Sequence, residues 1–209
     1  MYHFDLNRSS SCSSSLLMEN RPHIHSVFGA NFVEQNTRMM ADKLASSGEL
    51  MDEFAKHSQK QYPANKAYLL SRKSRSYLQL DKEFHALHEE VFERMDCLQC
   101  ANCCKTTSPV FYQNDIERAA KHLRIKPGEF ITTYLDMDED GDFVFKSAPC
   151  PFLGSDNYCG IYDSRPKACR EYPHTNRKRM VQILNLTAEN TRVCPAVFHI
   201  VERMRNPNE

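Results

Sequence analysis

Eight cysteines lie between residues 97 and 194, and four of them share the octapeptide Cys97-Leu98-Gln99-Cys100-Ala101-Asn102-Cys103-Cys104. Two-residue gaps put successive sulfurs close enough to share a metal ion or cluster, and the intervening backbone amides can donate to them. The adjacent pair behaves differently. Neighbouring side chains diverge, so Cys103 and Cys104 are not expected to hold one ion equivalently: one ligates a first site, and the other serves a second site or packs inside. Cys150, Cys159, Cys169 and Cys194 follow, and Cys150 and Cys194 each precede a proline, which removes a competing amide. Serine, arginine and proline just before Cys169 suggest a short helix start, where amide donors together with Arg165 and Arg170 would favour a thiolate. All eight are candidate metal ligands.

Three chemistries use clustered thiols: disulfides, a metal or iron–sulfur centre, and a redox dithiol. A secretory leader needs an apolar run of roughly 7–15 residues, whereas the N-terminal stretch offers only Leu16-Leu17-Met18. No segment approaches the roughly 18–20 apolar residues of a membrane-spanning helix. The cytoplasm is therefore expected, and there thiols stay reduced. A disulfide framework fits poorly, and a thioredoxin-type dithiol lacks its βαβ context. Metal or cluster binding is the remaining reading.

Composition agrees with a soluble globular chain: of 209 residues, 41% are hydrophobic and 26% charged. With 27 basic against 27 acidic residues the net charge is zero, so no field draws in nucleic acid or an anionic membrane, and neither is expected as a partner.

Other chemistry-bearing residues are weaker candidates. His174 follows Cys169-Arg170-Glu171-Tyr172-Pro173 and could act as a ligand or proton donor, with a surface turn as the plainer role. His85, His88 and Glu89 lack the spacing of a zinc-protease helix and read as solvated helix residues. Arg177-Lys178-Arg179 reads as a solvated edge. The acidic run at 138–142 includes Gly141 but is not followed by the terminal glutamate of a calcium loop, and it reads as a turn. Cys12, in a serine-rich stretch, reads as an exposed thiol.

The elements that must position these residues fall into four regions. Residues 1–26 form a flexible Ser-rich tail, 27–96 a helical region, 97–200 the cysteine domain and 201–209 a C-terminal tail. Ser46 and Glu49 make a capping signal after a helix carrying Met40 and Leu44, and Pro63 punctuates the chain. Tyr77, Leu80, Phe84, Leu87, Val91 and Met95 form one apolar stripe at helical spacing. It is expected to pack on other helices or on the cysteine region, with a dimerising coiled coil as the alternative. In the domain, residues 113–125 and 126–135 read as a helix pair, the first capped by Asn114 or Asp115 and the second with Pro127 in its first turn. The pair lacks the polar and basic set of a DNA-reading helix. Asp140-Gly141 and the alternation after it predict a small hairpin. The fold class expected is mainly α with small β elements (α+β), a helical region followed by an irregular, metal-stapled cysteine domain.

"CLQCANCC", then "CPFL", "CGIYDSRPKACREYP" and a final "CP", closely resembles the CxxCxxCC family of zinc- or iron-chelating proteins, the YkgJ-like cysteine-cluster proteins. The resemblance covers roughly residues 97 to 200. The family typically has glycine after the second cysteine, where this chain has Ala101, which raises the question of whether a left-handed turn is kept. The resemblance implies a metal-binding module. The compact cysteine triplet with a distant fourth, and Tyr158, Tyr162 and Phe152 as shielding aromatics, favour an iron–sulfur cluster over zinc. A protein partner or a homodimer is expected to use the helical region. One branch of the family, the flagellin lysine N-methylases, is associated with an iron–sulfur cluster, so the alternative is a protein-modifying enzyme using S-adenosylmethionine. That alternative rests on resemblance alone, because none of the six glycines forms a GxGxxG loop.

Overall fold

The computed structural model describes residues 48–207. The Ser-rich tail, Cys12, the helix carrying Met40 and Leu44, and the Ser46 cap lie outside the described residues. Helix α1 (Gly48–Ser71) opens the fold, followed by a 3-10 turn (Arg72–Ser74), α2 (Tyr77–Phe92), and two short helices, α3 (Cys97–Cys100) and α4 (Asn102–Thr106). A helix pair, α5 (Gln113–Leu123) and α6 (Pro127–Tyr134), leads into the hairpin β1 (Leu135–Met137) and β2 (Phe143–Phe145). The chain ends with a 3-10 turn (Tyr162–Ser164), α7 (Lys167–Glu171), a 3-10 turn (Met180–Ile183), α8 (Leu184–Asn190) and α9 (Pro195–Arg205). The protein is mainly α with a small antiparallel sheet, as its sequence pattern predicts.

Pro63 does not interrupt the chain; it lies inside α1. A proline there removes one backbone bond and crowds the carbonyl four residues earlier, at a typical cost of about 3 kcal/mol. Contacts to α8 and α9 offset it. Tyr62 donates its hydroxyl to the Glu189 carboxylate, Lys66 Nζ donates to that hydroxyl at 2.8 Å, and the Arg192 guanidinium covers the Tyr62 ring at 4.4 Å. Two turns on, Tyr68 donates its hydroxyl to the Met204 carbonyl.

The α2 stripe is consumed within the chain. Leu80 and Phe84 are fully buried, and Leu87 and Val91 half-buried, against Leu69 of α1, Leu184 and Ala188 of α8, and Val197, Ile200, Val201 and Met204 of α9. Tyr77, at the stripe's start, stays exposed. Helix α9 runs on to Arg205 with Val201 and Met204 buried, so it continues past residue 200 into the stretch expected as a C-terminal tail. Asp81, buried on α2, accepts the backbone N–H of Arg179 at 2.7 Å and of Met180 at 2.8 Å, fixing the approach to α8. His85 and His88 are not solvated bystanders. His85 Nε2 donates to the Arg177 carbonyl at 2.9 Å and His88 Nδ1 pairs with Thr175 Oγ1 at 2.7 Å, so both latch the same segment.

A second apolar cluster gathers Phe111, Ile116, Ala119, Ala120, Phe130, Leu135, Phe145 and Ile161. The α5–α6 pair buries its inner faces here, with Pro127 in the first turn of α6 and Asp115 accepting the Tyr112 N–H at 3.3 Å ahead of α5. The hairpin pairs Leu135 with Phe145 and Met137 with Phe143. Gly141, at φ 83, supplies the left-handed backbone its turn requires, while Asp138 Oδ1 accepts the N–H groups of Asp140 and Asp142. The cysteines lie against both clusters: Cys194 is part of the first, and Cys150 and Cys159 pack on the second.

Candidate metal centre

The octapeptide folds as two helical turns joined at a reversal. Asp96 caps the first by accepting the Leu98 N–H at 2.8 Å, and Ala101 turns the chain with φ 47 and ψ 17. The left-handed turn is therefore kept although a Cβ is present, at a usual cost of about 1–2 kcal/mol. Ala101 is buried, so its methyl group returns part of that. Cys97 and Cys100, three apart on α3, share one face. Cys103 and Cys104 are consecutive on α4.

Three hydrogen bonds bring the distant cysteines to this turn. Asn102 donates its side-chain amide to the Val193 carbonyl at 2.7 Å, beside Cys194. The Cys150 N–H donates to the Cys104 carbonyl at 2.8 Å. Asn157 donates its side-chain amide to the Gln99 carbonyl at 3.1 Å, docking the 154–159 loop whose ends pair Leu153 with Cys159. Cys169 arrives on α7, held by Asp115, whose buried carboxylate accepts the Lys167 N–H at 3.0 Å and pairs with Arg118 at 2.5 Å.

All eight cysteines are free thiols. Burial pushes the thiols of Cys100, Cys150, Cys159 and Cys194 up, and backbone N–H groups pull the other way, toward the thiolate a metal needs: that of Asn102 for Cys100, of Phe152 and Leu153 for Cys150, of Ile161 for Cys159, and of Val197 and Ala196 for Cys194. The prolines after Cys150 and Cys194 thus let the second and third amides reach the sulfur. Burial opposes ionisation, pushing Cys150 up to about 11 and Cys169 and Cys194 up to about 12. Cys97 is exposed as a residue, yet crowding of its thiol by protein atoms also raises it.

The adjacent pair is inequivalent. The mutual influence of the two thiols holds Cys103 protonated and brings Cys104 down to about 7, with Arg165 and Lys105 assisting. Arg165 also favours the thiolates of Cys97, Cys159 and Cys169, and its guanidinium lies 3.5 Å from the centre of the Tyr162 ring. Arg170 does not share this work; it donates to the Arg165 carbonyl at 2.6 Å.

The shielding aromatics differ from those expected. Tyr158 and Tyr162 are 58% and 45% exposed. Phe152 does pack beside Cys150, stacked on Phe130 with ring centres 6.1 Å apart. The aromatic among the thiols is Tyr172, whose pKa is raised first by burial and then by the charges of Cys194, Cys103, Cys100 and Cys97. Its buried hydroxyl has no hydrogen-bond partner among the described residues. Tyr172 lies inside the "CREYP" stretch, but nothing in its spacing marks it. His174 is half-buried near the Tyr172 ring, and burial lowers its pKa.

Among the described residues, no three His, Cys, Asp or Glu side chains are posed around one metal position. The thiols are gathered but not closed around one metal position. The donor set itself fits zinc or an iron–sulfur cluster: eight thiols, backbone N–H groups near four of them, and the buried Tyr172 hydroxyl, unpartnered among the described residues, near Cys194, Cys103, Cys100 and Cys97. Zinc supplies a rigid tetrahedral staple, whereas a cluster adds one-electron chemistry.

Residues 96–195 match the model of the CxxCxxCC family, described as "Putative zinc- or iron-chelating domain". That match covers just under half of the chain, and metal chelation is the property the family's description gives. The chain finds no match among curated proteins and none among solved structures. No described helix is long and apolar enough to cross a membrane.

Proposed function

We propose that this protein holds an iron–sulfur cluster through the cysteines gathered on α3, α4, the 150–159 loop, α7 and the start of α9, and serves a redox or interaction role in the cytoplasm. The observation that carries the reading is the gathering of these free thiols by the Asn102–Val193, Cys150–Cys104 and Asn157–Gln99 hydrogen bonds, with backbone N–H groups drawing four of the sulfurs toward the thiolate against their burial. Such donors tune the sulfurs of a buried cluster and cost nothing to organise once the loops are folded. The aromatic and aliphatic surroundings of Cys150 and Cys194 lower the local dielectric and disfavour charge on the sulfurs, which the amide donors offset. Since α1 and α2 bury their inner faces within the chain, a protein partner or a second copy would meet their outer faces.

Anaerobic purification followed by iron, zinc and acid-labile sulfide analysis, with a visible spectrum, tests this reading. Iron and sulfide in matching amounts, with absorption lost on reduction, are expected. A colourless protein carrying zinc and no sulfide would overturn the cluster and leave a structural zinc module.

A further inference from the structure

We infer that Arg118, Arg165 and Arg170 form an oxyanion site beside α7, suited to the phosphate group of a small phosphate monoester. The inference does not depend on which metal the thiols hold; it adds a second kind of ligand to the domain.

Two guanidinium groups meet on one backbone oxygen. Arg118 of α5 donates Nη2 to the Arg165 carbonyl at 2.6 Å, and Arg170 of α7 donates Nη1 to the same oxygen at 2.6 Å. The third guanidinium is that of Arg165 itself. Its Nε donates to the Tyr162 carbonyl at 2.8 Å and its carbon lies 3.5 Å from the centre of the exposed Tyr162 ring, so its orientation is set before a ligand arrives. A buried carboxylate anchors the group. Asp115, 3% exposed, pairs with Arg118 at 2.5 Å and accepts the Lys167 N–H at 3.0 Å, tying α5 to the start of α7.

The cluster carries more positive charge than its own neighbours offset. Among the described residues neither Arg165 nor Arg170 is in an ion pair, and Lys167 is matched by Glu171. Three guanidinium charges against the single Asp115 carboxylate leave an excess of two. Holding a carbonyl in place calls for no charge, since a neutral donor would do it, and crowding like charges costs Coulomb energy. The excess therefore points to an anion. The Nη groups of Arg165, and Nη2 and Nε of Arg170, make no hydrogen bond among the described residues, so they are the donors left for it. A phosphate monoester brings about 1.5 to 2 negative charges and three strong acceptor oxygens, which suits two arginines at once. A carboxylate has one charge and fills a single fork.

Inorganic phosphate, methyl phosphate and acetate are the probes. Each is titrated calorimetrically into the full-length chain as purified anaerobically, at an ionic strength held constant with sodium chloride, and metal content is measured before and after. One saturable site is expected for phosphate and for methyl phosphate, with acetate at least about tenfold weaker. Arg170→Gln should weaken phosphate about tenfold, the worth of one charge-assisted bond, and Arg170→Lys, which keeps the charge and loses the fork, by less. Arg170 is exposed, so both variants spare the core, and circular dichroism confirms their fold. No saturable phosphate binding, or acetate bound as tightly, overturns the site. Phosphate bound with methyl phosphate excluded overturns the ligand class. Phosphate drawn to the metal instead of the arginines would leave Arg170→Gln unchanged, and that result also overturns the site. Failure here with metal content intact leaves the metal-binding reading standing, whereas a chain that purifies without metal and still binds phosphate loses that reading and keeps this one.

Discussion

Asn102 donates its side-chain amide to the carbonyl of Val193 at 2.7 Å, and this bond joins the opening turn of the cysteine domain to the segment that delivers Cys194. The residue sits between Ala101 and Cys103, so it reads Cys194's position directly into the first helical turns.

Asn102→Ala is therefore expected to lower stability by about 1 kcal/mol, the usual net worth of one such bond. For a chain of this size that corresponds to a fall in Tm of roughly 2–4 °C. Metal release should change more than stability, because the lost bond orients a ligand rather than a core residue. Thermal unfolding and the rate of zinc transfer to a chelator measure the two effects; equal small changes in both would show that Asn102 only packs.

Ala101 tests the reversal between α3 and α4. Glycine there removes the left-handed penalty of about 1–2 kcal/mol, but it gives up a buried methyl and adds chain entropy to the unfolded state, each of order 0.5–1 kcal/mol. Ala101→Gly is expected to stay within about 1 kcal/mol of the parent chain and to keep its full metal content. Ala101→Val places a branched side chain at φ 47 and should cost more than the simple left-handed penalty, with loss of metal. Denaturant unfolding and metal analysis of the two variants decide the matter.

Tyr172→Phe removes a buried hydroxyl that has no partner among the described residues. An unsatisfied polar group of this kind typically costs about 1–3 kcal/mol, so the metal-free variant should be as stable as the parent chain or more so. In the loaded protein the hydroxyl can donate to a metal-bound thiolate, and there the variant should lose affinity or shift the visible spectrum. The opposite signs in the two states are the signature. A loss of stability in the metal-free chain would mean that the hydroxyl is already bonded.

Where local rules decide an element, the sequence showed it. Leu80, Phe84, Leu87 and Val91 recur at helical spacing and form the buried face of α2. Asp140-Gly141 marks the hairpin, and Pro127 the first turn of α6. The cysteines are legible from spacing alone. The continuation of α1 through Pro63 is not, because what holds it is Tyr62 against Glu189, residues far apart in the chain. The helical turns of α3 and α4 are too short to show a period. The places of Tyr172 and Arg165 among the thiols depend on how the second half of the domain folds back, which no local pattern encodes.

His199 on α9 gives a prediction for pH. Burial, with Arg203 and His57 nearby, brings its pKa down from 6.5 to about 4, and its Nε2 is buried without a partner among the described residues. The folded chain therefore keeps His199 neutral where the unfolded chain binds a proton, so unfolding takes up protons between these two values. His199's contribution is fully present above pH 6.5 and is lost progressively as pH falls through the folded value near 4. The shift corresponds to about 3 kcal/mol at most. In His199→Leu this component is absent, so the difference in unfolding free energy between parent and variant should move in the variant's favour as pH drops from 7 to 5. Urea unfolding of both chains in parallel isolates the effect, because every other titrating group is common to them. A difference that stays constant with pH would mean that His199 is protonated in the folded chain as readily as in the unfolded one.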